Sequence, residues 1–312
     1  MGEIRNQSKE GLSVVQVGLI ALNSFTWIAG FAALILFFMA ESGSFQSEDI
    51  YRRYSTWMWI AVGAFLAFLT AYKVLRSRFE FSYKNGIVKQ AAAGLPGSFH
   101  YYGKKGLERS YVEKTGFITL GNVFRSEDLV EGTYRGISFR RADVYTSEAR
   151  KGQATKVYMK GAWFIFSYKK PFTSELRIVS NDYPQDNGKS PLLSKNPPLA
   201  RNSEYRSKVA AVNPAFDASF RCTAKNEEEA VFLLSPQMTQ LMVDLRRKLG
   251  CPMLAAVHNN QLVLVLCTDR DHMETRITEP LDTQAEIERT REELDIACSL
   301  IDAFRIEEEA TM

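Results

Sequence analysis

From Gly11 to Ala40 the chain carries no charged side chain, and a second stretch from Thr56 to Tyr72 repeats the pattern. A helix that crosses the hydrocarbon core needs about 20 mostly apolar residues, and the first run exceeds that length without placing an ion in lipid. Between Gln16 and Phe38 it holds twelve Leu, Ile, Val and Phe residues, which favour insertion by about 4 to 7 kcal/mol. The second run has Ile60, Val62, Phe65, Leu66, Phe68 and Leu69 among smaller residues, worth only about 2 to 4 kcal/mol. It is therefore expected to insert leaning on the first. A signal peptide has a shorter apolar region of about 7 to 15 residues and is not followed by a second span. The two runs predict a transmembrane hairpin over 1–78.

Small residues suggest how the spans meet. Gly63, Ala67 and Ala71 recur every four residues on one helix face, where they admit a neighbouring backbone, with Ala29 and Ala33 as the opposite face. Tyr51, Tyr54, Trp57 and Trp59 bracket the start of the second span and Tyr72 closes it, as interfacial rings do. Arg5 and Lys9 precede the first span and Lys73, Arg76, Arg78 and Lys84 follow the second, against Arg52 and Arg53 in the connection from Glu41 to Ser55. This bias predicts cytoplasmic termini and a connection on the other side. Lys73, Arg76, Arg78 and Lys84 are also placed to touch anionic lipid headgroups of the bilayer.

Residues 79–312 remain for a soluble part with a genuine core. The net charge of +3 and the scattering of basic residues among acids argue against nucleic acid as a partner. Cys222, Cys251, Cys267 and Cys298 include no C-x-x-C pair, and His100, His258 and His272 complete no cluster with them; the thiols read as small buried hydrophobes, not zinc ligands. No G-x-S-x-G, Walker loop, H-E-x-x-H or dinucleotide fingerprint occurs, so no catalytic residue, metal or cofactor is assigned.

The pattern of the soluble part is α+β. Phe79 to Gln90 alternates around Asn85-Gly86 and predicts a hairpin. The stretch with Phe99, Tyr101 and Tyr102 reads as a loop or short helix leading to a strand near Phe117 to Leu120. Tyr134 to Tyr145, Lys156 to Met159, Ala162 to Tyr168 and Glu175 to Ser180 predict an antiparallel meander broken at Lys160-Gly161 and Lys170-Pro171-Phe172. Residues 79–180 thus form a β-rich first half. Residues 181–202, rich in Asn, Asp, Ser and Pro, read as an exposed loop or linker.

Residues 203–312 form an α+β second half: a strand near Phe220 to Ala224, a helix capped by Asn226, a helix from Ser235-Pro236 to Gly250, a hairpin around Asn259-Asn260, and an amphipathic helix over Asp282 to Ile306. Glu127, Asp128 and Glu131 read as a solvated loop or helix cap before Gly132, and Glu307 to Glu309 as a solvated tail. His258 is weighed as a general base against an ordinary turn-flanking histidine, and the latter is the stronger reading.

The layout resembles the bacterial membrane-protein family catalogued as domain of unknown function 3137. The resemblance rests on Gly116-Phe117 with Asn122-Val123-Phe124, on the run from Glu127 to Phe139, on Lys160-Gly161-Ala162-Trp163-Phe164-Ile165-Phe166, and on Glu229 to Pro236. Where the family has an acidic residue before a strand valine, Asp143-Val144 stands here. The resemblance implies a fold more than a site, and a role at the bacterial inner membrane beside LemA-like membrane proteins. The leading expectation is a non-enzymatic interaction or scaffold module. The alternative is a sensor or enzyme with a small ligand between the soluble halves, in a pocket lined by Tyr134, Trp163 and His258.

Overall fold

A computed structural model of the chain describes residues 2–41, 48–115, 118, 120–169, 171, 175–183, 207–209, 211, 213–268 and 283–310. The chain divides into two compact units, Met1–Ile87 with Thr275–Glu286, and Val88–Glu274 with Ile287–Met312.

The first unit is built on two long helices, α1 (Gly2–Glu41) and α2 (Glu48–Ala92). Both are long and apolar enough to cross a membrane. They run antiparallel: Leu19 is buried with Phe79 beside Tyr72, Phe25 meets Phe68 at a ring-centroid distance of 6.3 Å, and a Cβ added at Gly30 would lie 3.1 Å from the Phe65 ring. Trp27, Ile28, Phe31, Ile35, Phe38, Trp57, Trp59 and Ile60 point outward, as residues facing hydrocarbon do. Four hydroxyls inside the runs are satisfied within their own helix: Thr26 Oγ1 donates to the Leu22 carbonyl at 2.8 Å and Thr70 Oγ1 to the Leu66 carbonyl at 2.7 Å, and Ser24 and Thr56 do the same to Ile20 and Arg52, so none of these four faces lipid unpaired.

Two expectations change here. The connection between the spans is shorter than Glu41–Ser55, because α2 already begins at Glu48; residues 42–47 lie outside the described ones. The hairpin expected over Phe79–Gln90 is instead the last part of α2. Phe79, Tyr83 and Ile87 are buried at intervals of four, with Val88 and Ala91 following. That is a helical face, and the apparent alternation of Phe79, Phe81 and Tyr83 was the ambiguous part of the same pattern. Asn85-Gly86 sits in the helix with no positive φ.

The second unit is a sheet covered on both faces. Its described strands are β1 (Ser98–Tyr102), β2 (Val123–Tyr134), β3 (Ile137–Glu148), β4 (Lys156–Ser167), β5 (Leu176–Ser180), β6 (Ser207–Val209), β7 (Phe220–Ala224), β8 (Met253–His258) and β9 (Gln261–Leu266). They pair antiparallel in the order β1-β2-β3-β4-β9-β8-β5-β7-β6. The helices are α3 (Arg109–Thr115), α4 (Pro214–Ser219), α5 (Glu227–Leu233), α6 (Pro236–Leu249) and α7 (Thr283–Ala310), the last of which belongs to this unit from Ile287 onward. Because β4 pairs with β9, and β5 with β7 and β8, residues from both expected halves share one sheet. The expected linker lies mostly outside the described residues, from 184 to 206.

Side chains alternate between two cores, as period two requires. One face carries Phe139, Phe164, Phe166, Ile178 and Leu264 against Met238 and Met242 of α6 and Ala297 and Ile301 of α7. The other carries Trp163, Ile165, Val263 and Val265 against Leu107, Val112 of α3, Ile118 and Tyr183. Helix ends follow their sequence signals. Asn226 Oδ1 accepts from the Glu228 amide at 3.0 Å, Ser235 caps α6, and Gly250 closes it at φ 62°.

The segment around Phe99 is a strand, β1, rather than a loop or short helix. Of the strand expected near Phe117, only Ile118 and Leu120 are described, and Ile118 is core. Lys160-Gly161 does not break the meander, since β4 runs straight through it. A Cβ at Gly161 would lie 1.9 Å from the Leu266 carbonyl oxygen. The glycine marks a close approach of two backbones, not a turn.

Candidate functional site

Glu127, Asp128 and Glu131 lie on β2, not in a solvated loop. The register between β2 and β3 shifts between Glu127 and Val130, and Asp128 takes φ 56° at that bulge. Aspartate tolerates the left-handed region better than most residues. The bulge turns Asp128 inward, where it is fully buried and accepts a hydrogen bond from the Tyr101 hydroxyl of β1 at 2.5 Å.

Beside it lies Arg141 of β3, also with no exposed surface. Its Nε donates to Glu293 Oε1 of α7 at 2.6 Å, and its Nη2 is ion-paired with that same oxygen and with Asp143 Oδ1 at 2.7 Å. Its Nη1 reaches the Asp128 carbonyl at 3.5 Å. Two carboxylates and a backbone carbonyl therefore meet one buried guanidinium, with the Asp128 carboxylate held by Tyr101, so that β1, β2, β3 and α7 are joined. A buried charge is tolerable only when paired in this way.

The electrostatics follow from that count. Burial pushes the Asp143 carboxyl up to about 7; Arg141 opposes this, while Glu293 and Asp128 add to it. Burial disfavours the Arg141 charge, but Asp143 and Glu293 more than offset this and hold the guanidinium above its ordinary value. Tyr101 is held well above the usual phenol range by burial and then by Asp128. The cluster contains no nucleophile. What it can do is pin α7 to the sheet and hold one proton near neutral pH.

The residues singled out from sequence do not converge. Tyr134, at the end of β2, belongs to the core under α7, where its hydroxyl donates to Asp302 Oδ2 at 3.1 Å. Trp163 belongs to the opposite core. His258 ends β8 half-exposed, with Nδ1 2.7 Å from Glu175 Oε1. The structure thus assembles no single pocket from Tyr134, Trp163 and His258. On α2, a Cβ at Gly63 would meet nothing within 4 Å. Lys73, Arg76, Arg78 and Lys84 all lie on α2, and Arg76 Nε pairs with Glu80 at 2.8 Å. Cys222, Cys251 and Cys298 are buried and Cys267 is half-buried, all as free thiols. Among the described residues no group of His, Cys, Asp and Glu is arranged to hold a metal ion.

Arg141, Asp128 and Glu293 escaped the sequence reading, although a signal existed. Ile137, Phe139, Arg141 and Asp143 share one face of a strand, and Glu293, Ala297 and Ile301 share one face of a helix. Charges at core positions of both periodicities point to a buried ion pair.

These features define a class: an α+β protein with two apolar helices of membrane-spanning length ahead of an antiparallel sheet. The model of a family described as protein of unknown function (DUF3137) matches residues 158–306, the stretch from β4 into α7, and supports the resemblance read from the sequence. No curated protein matches the chain. Among solved structures, the crystal structure of the mycobacterial trehalose monomycolate transport factor A, TtfA, is similar at 12% identity and a TM-score of 0.34, over 72% of this chain and 97% of that one. That likeness is too distant to carry an argument.

Proposed function

We propose that the chain is an interaction module held at the bacterial inner membrane by a two-span hairpin, with both termini and the α+β unit in the cytoplasm. The observation that carries this reading is the pair of helices, Val14–Glu41 and Glu48–Ala92, of spanning length and apolar composition, with 11% and 0% of their most apolar windows buried. Helices of this composition whose large side chains point outward need a lipid environment, since in water the same surface drives aggregation. Attachment concentrates the sheet unit near membrane neighbours, which strengthens weak contacts without new chemistry. The partner is a membrane or membrane-proximal protein, and a LemA-like protein is the first to test.

The experiment is crosslinking in intact cells, purification in mild detergent, and mass spectrometry of everything retained. A stoichiometric protein partner supports the module. A preparation free of partners but carrying a stoichiometric small molecule overturns it in favour of a sensor or enzyme.

A further inference from the structure

The hairpin that joins β3 to β4 concentrates charge of one sign. Between Val144 and Lys160 the sequence has one acid, Glu148, against Arg150, Lys151, Lys156 and Lys160, whereas bases and acids nearly balance over the whole chain. This local excess stands apart from the scattered charges elsewhere.

The fold turns the excess outward. The Gln153 N–H donates to the Arg150 carbonyl at 3.1 Å, closing a four-residue turn with Lys151 at its second position and Gly152, at φ 76°, at its third. A left-handed glycine permits so tight a reversal. Ala149 through Val157 are all exposed. The base of the tip is nevertheless fixed. Asn122 Nδ2 donates to the Ala149 carbonyl at 2.7 Å, and the Ala149 N–H donates to Asn122 Oδ1 at 2.9 Å. Glu148 stands opposite Lys156 in the ladder and lies 3.2 Å from Arg150 Nε. Lys156 Nζ rests 5.7 Å from the centre of the Tyr158 ring, and Val157 between them is 52% exposed.

Cations, an exposed aliphatic side chain and a tyrosine on one protruding turn suit the interface of an anionic bilayer. Lysine and arginine place their charges among the headgroup phosphates, while a valine and a phenol ring fit the apolar boundary beneath. The cations follow one another around the turn and into β4. That arrangement answers to a continuous field of negative charge better than to one anionic group in a fixed place. The inference rests on the reading of α1 and α2 as a membrane anchor, because attachment makes contact with the same bilayer an intramolecular event.

We propose that the β3–β4 tip, through Arg150, Lys151, Lys156 and Val157, docks on the anionic headgroup surface of the bilayer that holds the chain.

The test uses the full chain with Cys267→Ser and a fluorophore attached at Gln153→Cys, reconstituted in nanodiscs that contain a lipid with a nitroxide on its headgroup. Discs of phosphatidylcholine are compared with discs holding about one-third phosphatidylglycerol. Stronger quenching in the anionic discs is expected, and its loss at about 1 M salt, where the screening length falls to about 3 Å. Lys151→Gln combined with Lys156→Gln should lower the docking constant about 25-fold, at about fivefold for each basic residue near such a surface. Equal quenching in the two lipids overturns the proposal, as does quenching unchanged by the double substitution. Absence of quenching in both also overturns it and leaves an acidic protein surface as the occupant. Circular dichroism of the double variant separates lost docking from lost folding, and the salt titration retains the test if that variant does not fold. A chain that enters no disc overturns the anchor and this contact with it, whereas one that enters without charge-dependent quenching overturns the contact alone.

Discussion

Arg141 is the residue on which the second unit is most exposed to single substitutions. It pairs with the Asp143 and Glu293 carboxylates and is fully buried, so removing it leaves two acids facing one another where solvent does not screen them. Arg141→Leu is expected to cost about 3–5 kcal/mol, the range for breaking one side of a buried pair, read from urea unfolding followed by tryptophan fluorescence. Asp143 gives a prediction of opposite character. Its carboxyl titrates near 7 when folded and near 3.9 when unfolded. Between those values the folded state holds the proton more tightly, so the stability contributed by this group is fully present below about pH 4 and is lost as pH rises to about 7. Asp143→Asn removes that dependence. Wild type should lose stability relative to the variant by up to about 1.4 kcal/mol per pH unit across the window; parallel pH profiles for the two proteins would refute the assignment.

At the scale of elements, glycine was the residue whose meaning the sequence could not supply alone. Asn85-Gly86 and Lys160-Gly161 both carry turn chemistry, yet one lies inside α2 and the other inside β4. What decides each case is non-local: the buried face of Phe79, Tyr83 and Ile87 in the first, and the Leu266 carbonyl in the second. Where the deciding partner is local, sequence and structure agree, as at the Ser235 cap, the Gly250 terminus and the Asn259-Asn260 hairpin. The candidate site was illegible for the same reason, because Asp128, Arg141 and Glu293 come from elements up to 165 residues apart and meet only when α7 docks. The two glycines therefore respond oppositely to a methyl group. Gly86→Ala, in open helical surroundings, should stabilise by up to about 1 kcal/mol through helix propensity. Gly161→Ala must push β4 from β9 and should cost about 3 kcal/mol. Denaturant midpoints of the two variants provide the measurement, and a destabilised Gly86→Ala would count against the helix.

At the scale of the whole molecule, the proposed cytoplasmic topology rests on a charge comparison. Six Lys and Arg residues flank the outer ends of the two spans, against Arg52 and Arg53 near their connection. Retention of basic flanks on the cytoplasmic side favours the topology with the larger set inside. The two arginines oppose it, but they sit within the first turns of α2, beside Glu48 and Asp49. Acidic neighbours do little to cancel positive-inside retention, so the margin rests on six against two. Single cysteines make the inference measurable in a background where Cys267, the half-buried native thiol, is replaced by serine. Ser44→Cys, in the connection, is expected to react with a membrane-impermeant maleimide in intact cells. Arg150→Cys, on the exposed turn between β3 and β4, should react only after the membrane is opened. The reverse pattern would place the α+β unit outside the cytoplasm and would redirect the search for its partner to that compartment.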